Sequence, residues 1–258
     1  MRTSIIISII SIALFASCEY DSLEQEPVPV DQNFQLKVNT SFEGAPIEIY
    51  EYYTNVEGDL MNFEQIKMYI ADIRLIKEDG SEVVVSPIEY FNFEGTALTR
   101  SYSVANGNYT GIIYHVGVPT SMNGTDDPSF LINQYGSGNP LNVQNGMYWN
   151  WNNGYRFLIY EGRLDTTPTI PGDVPAFFSI HMGKDTLYTT IQVDMPMSIN
   201  STETRVFNLD WDLSKTIYTS TDTLNLRSPL ESQFHGEDLN LGFRFQACFE
   251  NALSHSVE

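Results

Sequence analysis

The chain has 258 residues and carries 33 Asp and Glu against 13 Lys and Arg, a formal net charge of −20. A surface of that sign repels phosphate backbones, which excludes nucleic acid as a partner. The same field gathers cations, although solubility alone accounts for an acidic composition equally well.

Residues 1–17 read as a processing segment: Arg2 supplies the positive start, Ile5 to Leu14 the apolar run, and Phe15-Ala16-Ser17 the small-residue approach to Cys18. The run is too short to span a bilayer as a helix. A small residue before a lone cysteine at such a boundary is similar to the bacterial lipoprotein box, in which Cys18 is acylated, palmitate being one such acyl group, and becomes the mature N-terminus. The expectation is a protein anchored to a membrane by lipid without crossing it, placed in the cell envelope and most naturally at the outer membrane. Losing Arg2 with the signal makes the mature chain one unit more negative. Residues 18–34 hold Glu19, Asp21, Glu24, Glu26 and Asp31 among Ser, Gln and Pro, too little apolar surface to offset ordering, and read as a flexible acidic tether. With Cys18 acylated, Cys248 has no disulfide partner, so a hydrophobic core must hold the fold.

From residue 35 onward strand signals recur. Gln35–Val38 and Ile47–Tyr53 are short alternating or aromatic runs, and Ile66, Met68 and Ile70 alternate through Gln65–Lys77. Asp79-Gly80 offers a tight turn into Glu82–Val85, and Asn106-Gly107 a second turn between Arg100–Val104 and Tyr109–Val118. Pro119 ends that run because it has no ladder donor. Residues 120–146, rich in Gly, Asn, Ser and Asp, predict a long loop with one helical turn near Ser129–Gln134; loops of that length often line binding sites. Further strands are expected at Tyr155–Glu161, Ala176–His181, Thr186–Met195 and Thr204–Trp211. Leu241, Phe245 and Phe249, four residues apart, predict a C-terminal amphipathic helix. These elements predict one large all-β domain with a long loop and a short C-terminal helix.

The stretch Met147–Gly162, MYWNWNNGYRFLIYEG, places two of the three tryptophans, Trp149 and Trp151, one residue apart. In a regular strand both indoles would share a face. Together with His181-Met182-Gly183, this stretch resembles the MbnP-like copper-binding family. Met68 to Leu75 ahead of Asp79-Gly80, Asn106 to Ile112, and Val116-Gly117-Val118-Pro119 match the same layout, so the resemblance covers about residues 35 to 254. It implies an Ig-like β-sandwich over residues 35–254 that binds copper outside the cytoplasm and serves in copper acquisition or handling without catalysing a reaction. It further implies a tryptophan that a partner di-haem peroxidase-like protein can oxidise to kynurenine at the copper site, and an outer-membrane transporter as a second partner.

On that resemblance His181 falls where the family has a histidine before a glycine, and reads either as a copper ligand or as a hydrogen-bonded strand-end histidine. Met182 follows on the opposite strand face and does not share a metal with it. His235 is the second ligand candidate, or a polar residue ahead of the helix cap. The expected centre is one copper ion, more readily Cu(I), held by His181 and His235 against a wall of Trp149 and Trp151. His115 reads as a sheet-face histidine where the family pattern has an apolar residue, and His255 as part of a frayed tail. Asp126-Asp127 reads as a solvated turn rather than a Ca²⁺ loop, and Met195-Pro196-Met197 as a strand terminus. The rival function is a surface binding module whose aromatic pocket takes a carbohydrate or peptide without a metal.

Overall fold

In the computed structural model, which describes residues 32–94, 97–124, 128–150, 154–167 and 175–258, strict alternation of buried and half-buried side chains marks the first strand, β1 (Phe34–Phe42). The short β2 (Ala45–Pro46) and β3 (Tyr52–Thr54) follow, then the 18-residue β4 (Leu60–Lys77), β5 (Glu82–Asn92), β6 (Leu98–Tyr102) and β7 (Gly107–Val116). Helix α1 (Pro128–Gln134) lies in the long connection to β8 (Tyr148–Asn150). The remaining strands are β9 (Gly154–Asp165), β10 (Ala176–Gly183), β11 (Thr189–Ile199) and β12 (Arg205–Asp212). The C-terminal region holds α2 (Pro229–Ser232), β13 (Gln233–Phe234), α3 (Leu239–Asn251) and β14 (Leu253–Val257). Cys18, most of the tether, Asp126-Asp127 and Trp151 lie outside the described residues.

The strands form two sheets in a sandwich-like arrangement, one of five strands ordered β14-β12-β1-β2 with β6 also on β1, and one of nine built on the path β11-β7-β4-β9-β10-β13. Length explains the dominance of β4: Leu60–Met68 pairs with β9, and Ile70–Lys77 pairs with β7. Trp211 of β12 marks the seam between the layers, its ring 6.5 Å from Tyr160 of β9 and 5.2 Å from Phe249 of α3. Its indole N–H donates to Thr216 Oγ1 at 2.7 Å, as a buried indole requires. Among the described residues no helix is long and apolar enough to cross a membrane.

Several sequence expectations are corrected. Ile47–Tyr53 is mostly irregular, with a turn at Ile49-Tyr50 that puts Tyr50 at φ 71°, and only Tyr52 and Tyr53 enter a strand. Asn106-Gly107 does not close a hairpin, because β6 pairs with β1 in the small sheet while β7 pairs with β4 and β11 in the large one. Met195-Pro196-Met197 lies inside β11, where the register shifts between Asp194 and Met197; an edge strand tolerates proline at such a bulge. The tail is not frayed: β14 pairs with β12, and His255 Nε2 lies 2.7 Å from the Tyr114 hydroxyl. The Asp79-Gly80 turn, the long connection with its helical turn and the amphipathic α3 are found as expected, with Leu241, Phe245 and Phe249 buried.

The outer face of the large sheet is itself covered. Tyr69, Tyr90 and Tyr155 donate their hydroxyls to the carbonyls of Pro140, Asn145 and Leu141, which straps the connection before β8 across β4 and β9. This second layer sets the depth of the site described next.

Candidate metal centre

Strand alternation divides β10 between two environments. Phe178, Ile180 and Met182 point into the sandwich with no more than 1% exposure, and Ser179 and His181 point to the outer face. On β9 the partner of Ser179 is Glu161, so in antiparallel pairing these two side chains stand together. His181 Nε2 lies 2.5 Å from Glu161 Oε1, and the Ser179 hydroxyl is 3.0 Å from the same oxygen.

The second imidazole arrives from another element. β13 adds to β10 in parallel, Gln233 opposite Ser179, and Gln233 Nε2 donates to the Phe177 carbonyl at 2.7 Å. The chain then turns at His235-Gly236, and α3 begins at its own cap, Asp238, whose carboxylate accepts from the amides of Asn240 and Leu241. His235 is therefore not needed as a cap. Its Nε2 lies 3.1 Å from Ser179 Oγ, while His181 Nε2 lies 3.2 Å from that atom, and the two ring centroids are 4.8 Å apart. Gly236, at φ 90°, makes this turn possible, and Lys184 holds it by donating to the Gly236 carbonyl at 2.7 Å.

Trp149 closes the group. Tyr148 pairs with Tyr155 and Asn150 with Gly154, so Trp149 is the extra residue of a β-bulge, a device that re-aims a side chain. Its ring meets His181 at 5.8 Å and His235 at 6.1 Å, both edge-on, and Arg156 lies over it at 5.4 Å. Glycines make room: a Cβ on Gly183 or on Gly236 would touch the indole at 3.4 and 3.6 Å. The structure thus brings together His181, His235 and Trp149. His115 sits elsewhere, stacked on Tyr188 at 4.8 Å, and Met182 faces the interior.

Burial lowers the His181 imidazole from its usual range against the opposing pull of Glu161, so the ring is neutral at neutral pH. Burial works to raise the Glu161 carboxyl, but its bonds to His181 and Ser179 and the charge of Arg156 outweigh that and hold it below the usual range. Lys67, itself lowered by burial, lies on the other side and also feels Glu161. His181 Nδ1 is buried with no hydrogen-bond partner. A neutral imidazole with an unclaimed nitrogen, a second imidazole beside it and a compensated carboxylate fit a cation that accepts nitrogen donors. Among the described residues no group of three or more His, Cys, Asp and Glu is arranged around one point.

The sequence reading passed over Glu161, Ser179 and Arg156 as site residues. A signal was present for two of them: Ser179 is a polar residue two positions before His181 in an apolar strand, which puts both on one face, and Glu161 is the one acid in the strand following the tryptophans before Gly162.

The MbnP family model matches residues 31–232. Among solved structures, MbnP from Methylosinus trichosporium is similar at 13% sequence identity and a TM-score of 0.46, covering 79% of this chain and 80% of that chain. No curated protein matches.

Proposed function

The chain belongs to the MbnP family, and from that footing we propose that it is a lipid-anchored, extracytoplasmic copper-binding protein that takes part in copper acquisition or handling. The family is associated with copper-related function. The observation that carries the reading is the convergence of His181 and His235, rings 4.8 Å apart, beneath the edge of Trp149. Both imidazoles come from elements locked by sheet pairing, so the donors are positioned before any cation arrives and little ordering entropy opposes binding. Trp149 and the strap over β4 exclude water, and Glu161 supplies the negative charge that a buried cation requires. Copper is the cargo, and the residues present hold it without catalysing a reaction.

Among the described residues Trp149, placed against both imidazoles, is the tryptophan whose conversion to kynurenine would bear on the site, since kynurenine offers a carbonyl and an aniline nitrogen where indole offers no strong donor. The partners of this reading are a di-haem peroxidase-like protein, an outer-membrane transporter, and the membrane itself through Cys18. A carbohydrate module gains little from the site: Arg156 lies over the indole, and Gly183 and Gly236 pack against it.

Competition of Cu(I) between the protein and a chelator tests the reading. His181→Ala and His235→Ala should each weaken binding at least tenfold, and unchanged affinity in both rejects it. The intact mass of the peptide containing Trp149, from protein purified from its native envelope, decides the oxidation.

A further inference from the structure

Protons are scarce around Ser179. Four polar atoms meet there: Ser179 Oγ lies 3.0 Å from Glu161 Oε1, 3.2 Å from His181 Nε2 and 3.1 Å from His235 Nε2, and His181 Nε2 is 2.5 Å from Glu161 Oε1. An ionised carboxylate only accepts, and a hydroxyl has one proton to give. The Glu161–His181 contact is attractive only if Nε2 carries the proton; with a bare Nε2, two lone pairs would face each other. The Glu161–Ser179 contact likewise consumes the hydroxyl proton. Ser179 Oγ is then left as an acceptor, which His235 satisfies by donating its own Nε2–H.

Every donor in the group thus runs toward Glu161, and none is left for the far side of the His181 ring. There Nδ1 is buried and bonded to nothing. A buried polar atom without a partner keeps the full cost of leaving water, so it is rarely retained without a ligand to meet it. Metal-bound histidines commonly donate their second ring N–H to a carboxylate, which fixes the tautomer and raises the basicity of the ligating nitrogen.

We propose that Glu161 is the positioning residue of the centre: it locks His181 as the Nε2–H tautomer and so makes Nδ1, not Nε2, the nitrogen that binds the cation. This rests on the copper reading above and adds which atom of His181 acts and what selects it. Glu161 does not touch the metal. Its near-isostere glutamine can turn its amide N–H toward Nε2, which moves the imidazole proton to Nδ1 and blocks the donor.

The test is imidazole ¹H–¹⁵N correlation spectroscopy on the whole metal-free protein, followed by titration with Ag(I), a monovalent d¹⁰ probe whose nuclear spin couples to a bonded nitrogen. In the wild type His181 should show a protonated Nε2 and a bare Nδ1, and Ag(I) should couple to Nδ1 while the Nε2 proton stays. Glu161→Gln should shift the tautomer and weaken Ag(I) binding about 10–100-fold, the loss typical of a metal site's orienting partner. Ser179→Ala, which keeps the carboxylate, should leave the His181 tautomer unchanged and release only His235, so the lock can be judged even if Glu161→Gln folds poorly. A bare Nε2 in the metal-free protein, or Ag(I) coupled to Nε2, overturns the inference. Failure of Ag(I) to perturb either histidine overturns the copper reading itself and, with it, the role given to Nδ1.

Discussion

Replacing Trp149 with alanine separates the wall of the centre from its ligands. The indole is half-buried, meets two imidazoles edge-on at 5.8 and 6.1 Å, and carries Arg156 at 5.4 Å. Aromatic pairs contribute about 0.5–1.5 kcal/mol each beyond area, and a partly exposed cation–π contact about 0.5–1 kcal/mol. Truncating a fully buried tryptophan costs about 3–5 kcal/mol, and partial exposure brings the figure here to about 2–3 kcal/mol. In a domain of this size that lowers Tm by about 4–12 °C. Trp149→Phe keeps a ring between Gly183 and Gly236 and should lose less than half as much. Thermal unfolding by circular dichroism, read beside Cu(I) competition, gives both quantities. Losing the wall should weaken Cu(I) about tenfold or more through water entry. Wild-type stability and affinity in Trp149→Ala would refute the claim that the indole packs on the histidines.

Gly236→Ala forces a side chain into φ 90° and against Lys184 at 3.3 Å; it should cost about 1–2 kcal/mol in urea unfolding and displace His235, weakening Cu(I) binding while leaving the His181 imidazole resonances in place. Gly162→Ala would drive its Cβ into the Asn62 carbonyl and to 2.8 Å from Phe178, so the variant should lose about 3 kcal/mol or fail to accumulate as folded protein. Burial lowers the His255 imidazole, whose Nε2 lies 2.7 Å from the Tyr114 hydroxyl and whose ring stacks on Phe207 at 5.6 Å. The unfolded chain therefore binds the proton more readily. Stability is whole above the unfolded value of about 6.5 and is lost as pH falls through it toward the lower folded value, so the urea midpoint should drop between pH 7.5 and pH 5, and less steeply in His255→Gln.

How much of this could be read from the chain depended on whether the information was local. The alternation of Ile66, Met68 and Ile70 and the Asp79-Gly80 turn are local, and both placed their strands. The pairing of β6 with β1 rather than β7 is decided by contacts 60 to 68 residues apart in the chain, which no turn signal at Asn106-Gly107 reports. Trp149 was legible as an unusual aromatic, but its direction was not, because a bulge breaks the alternation on which the expectation of two parallel indoles stood. His235 could be named as a candidate and not placed, since a two-residue parallel strand brings it to His181 and such a strand leaves almost no pattern. Glu161 escaped notice for a related reason: its meaning appears only when β9 is set in register against Ser179.

The most direct measurement is X-ray absorption at the copper edge on protein loaded with one equivalent of Cu(I). The account predicts a low-coordinate centre fitted by nitrogen scatterers of imidazole type, lost on changing both His181 and His235. A sulfur scatterer would bring a methionine or Cys248 to the metal in place of the paired imidazoles and contradict it.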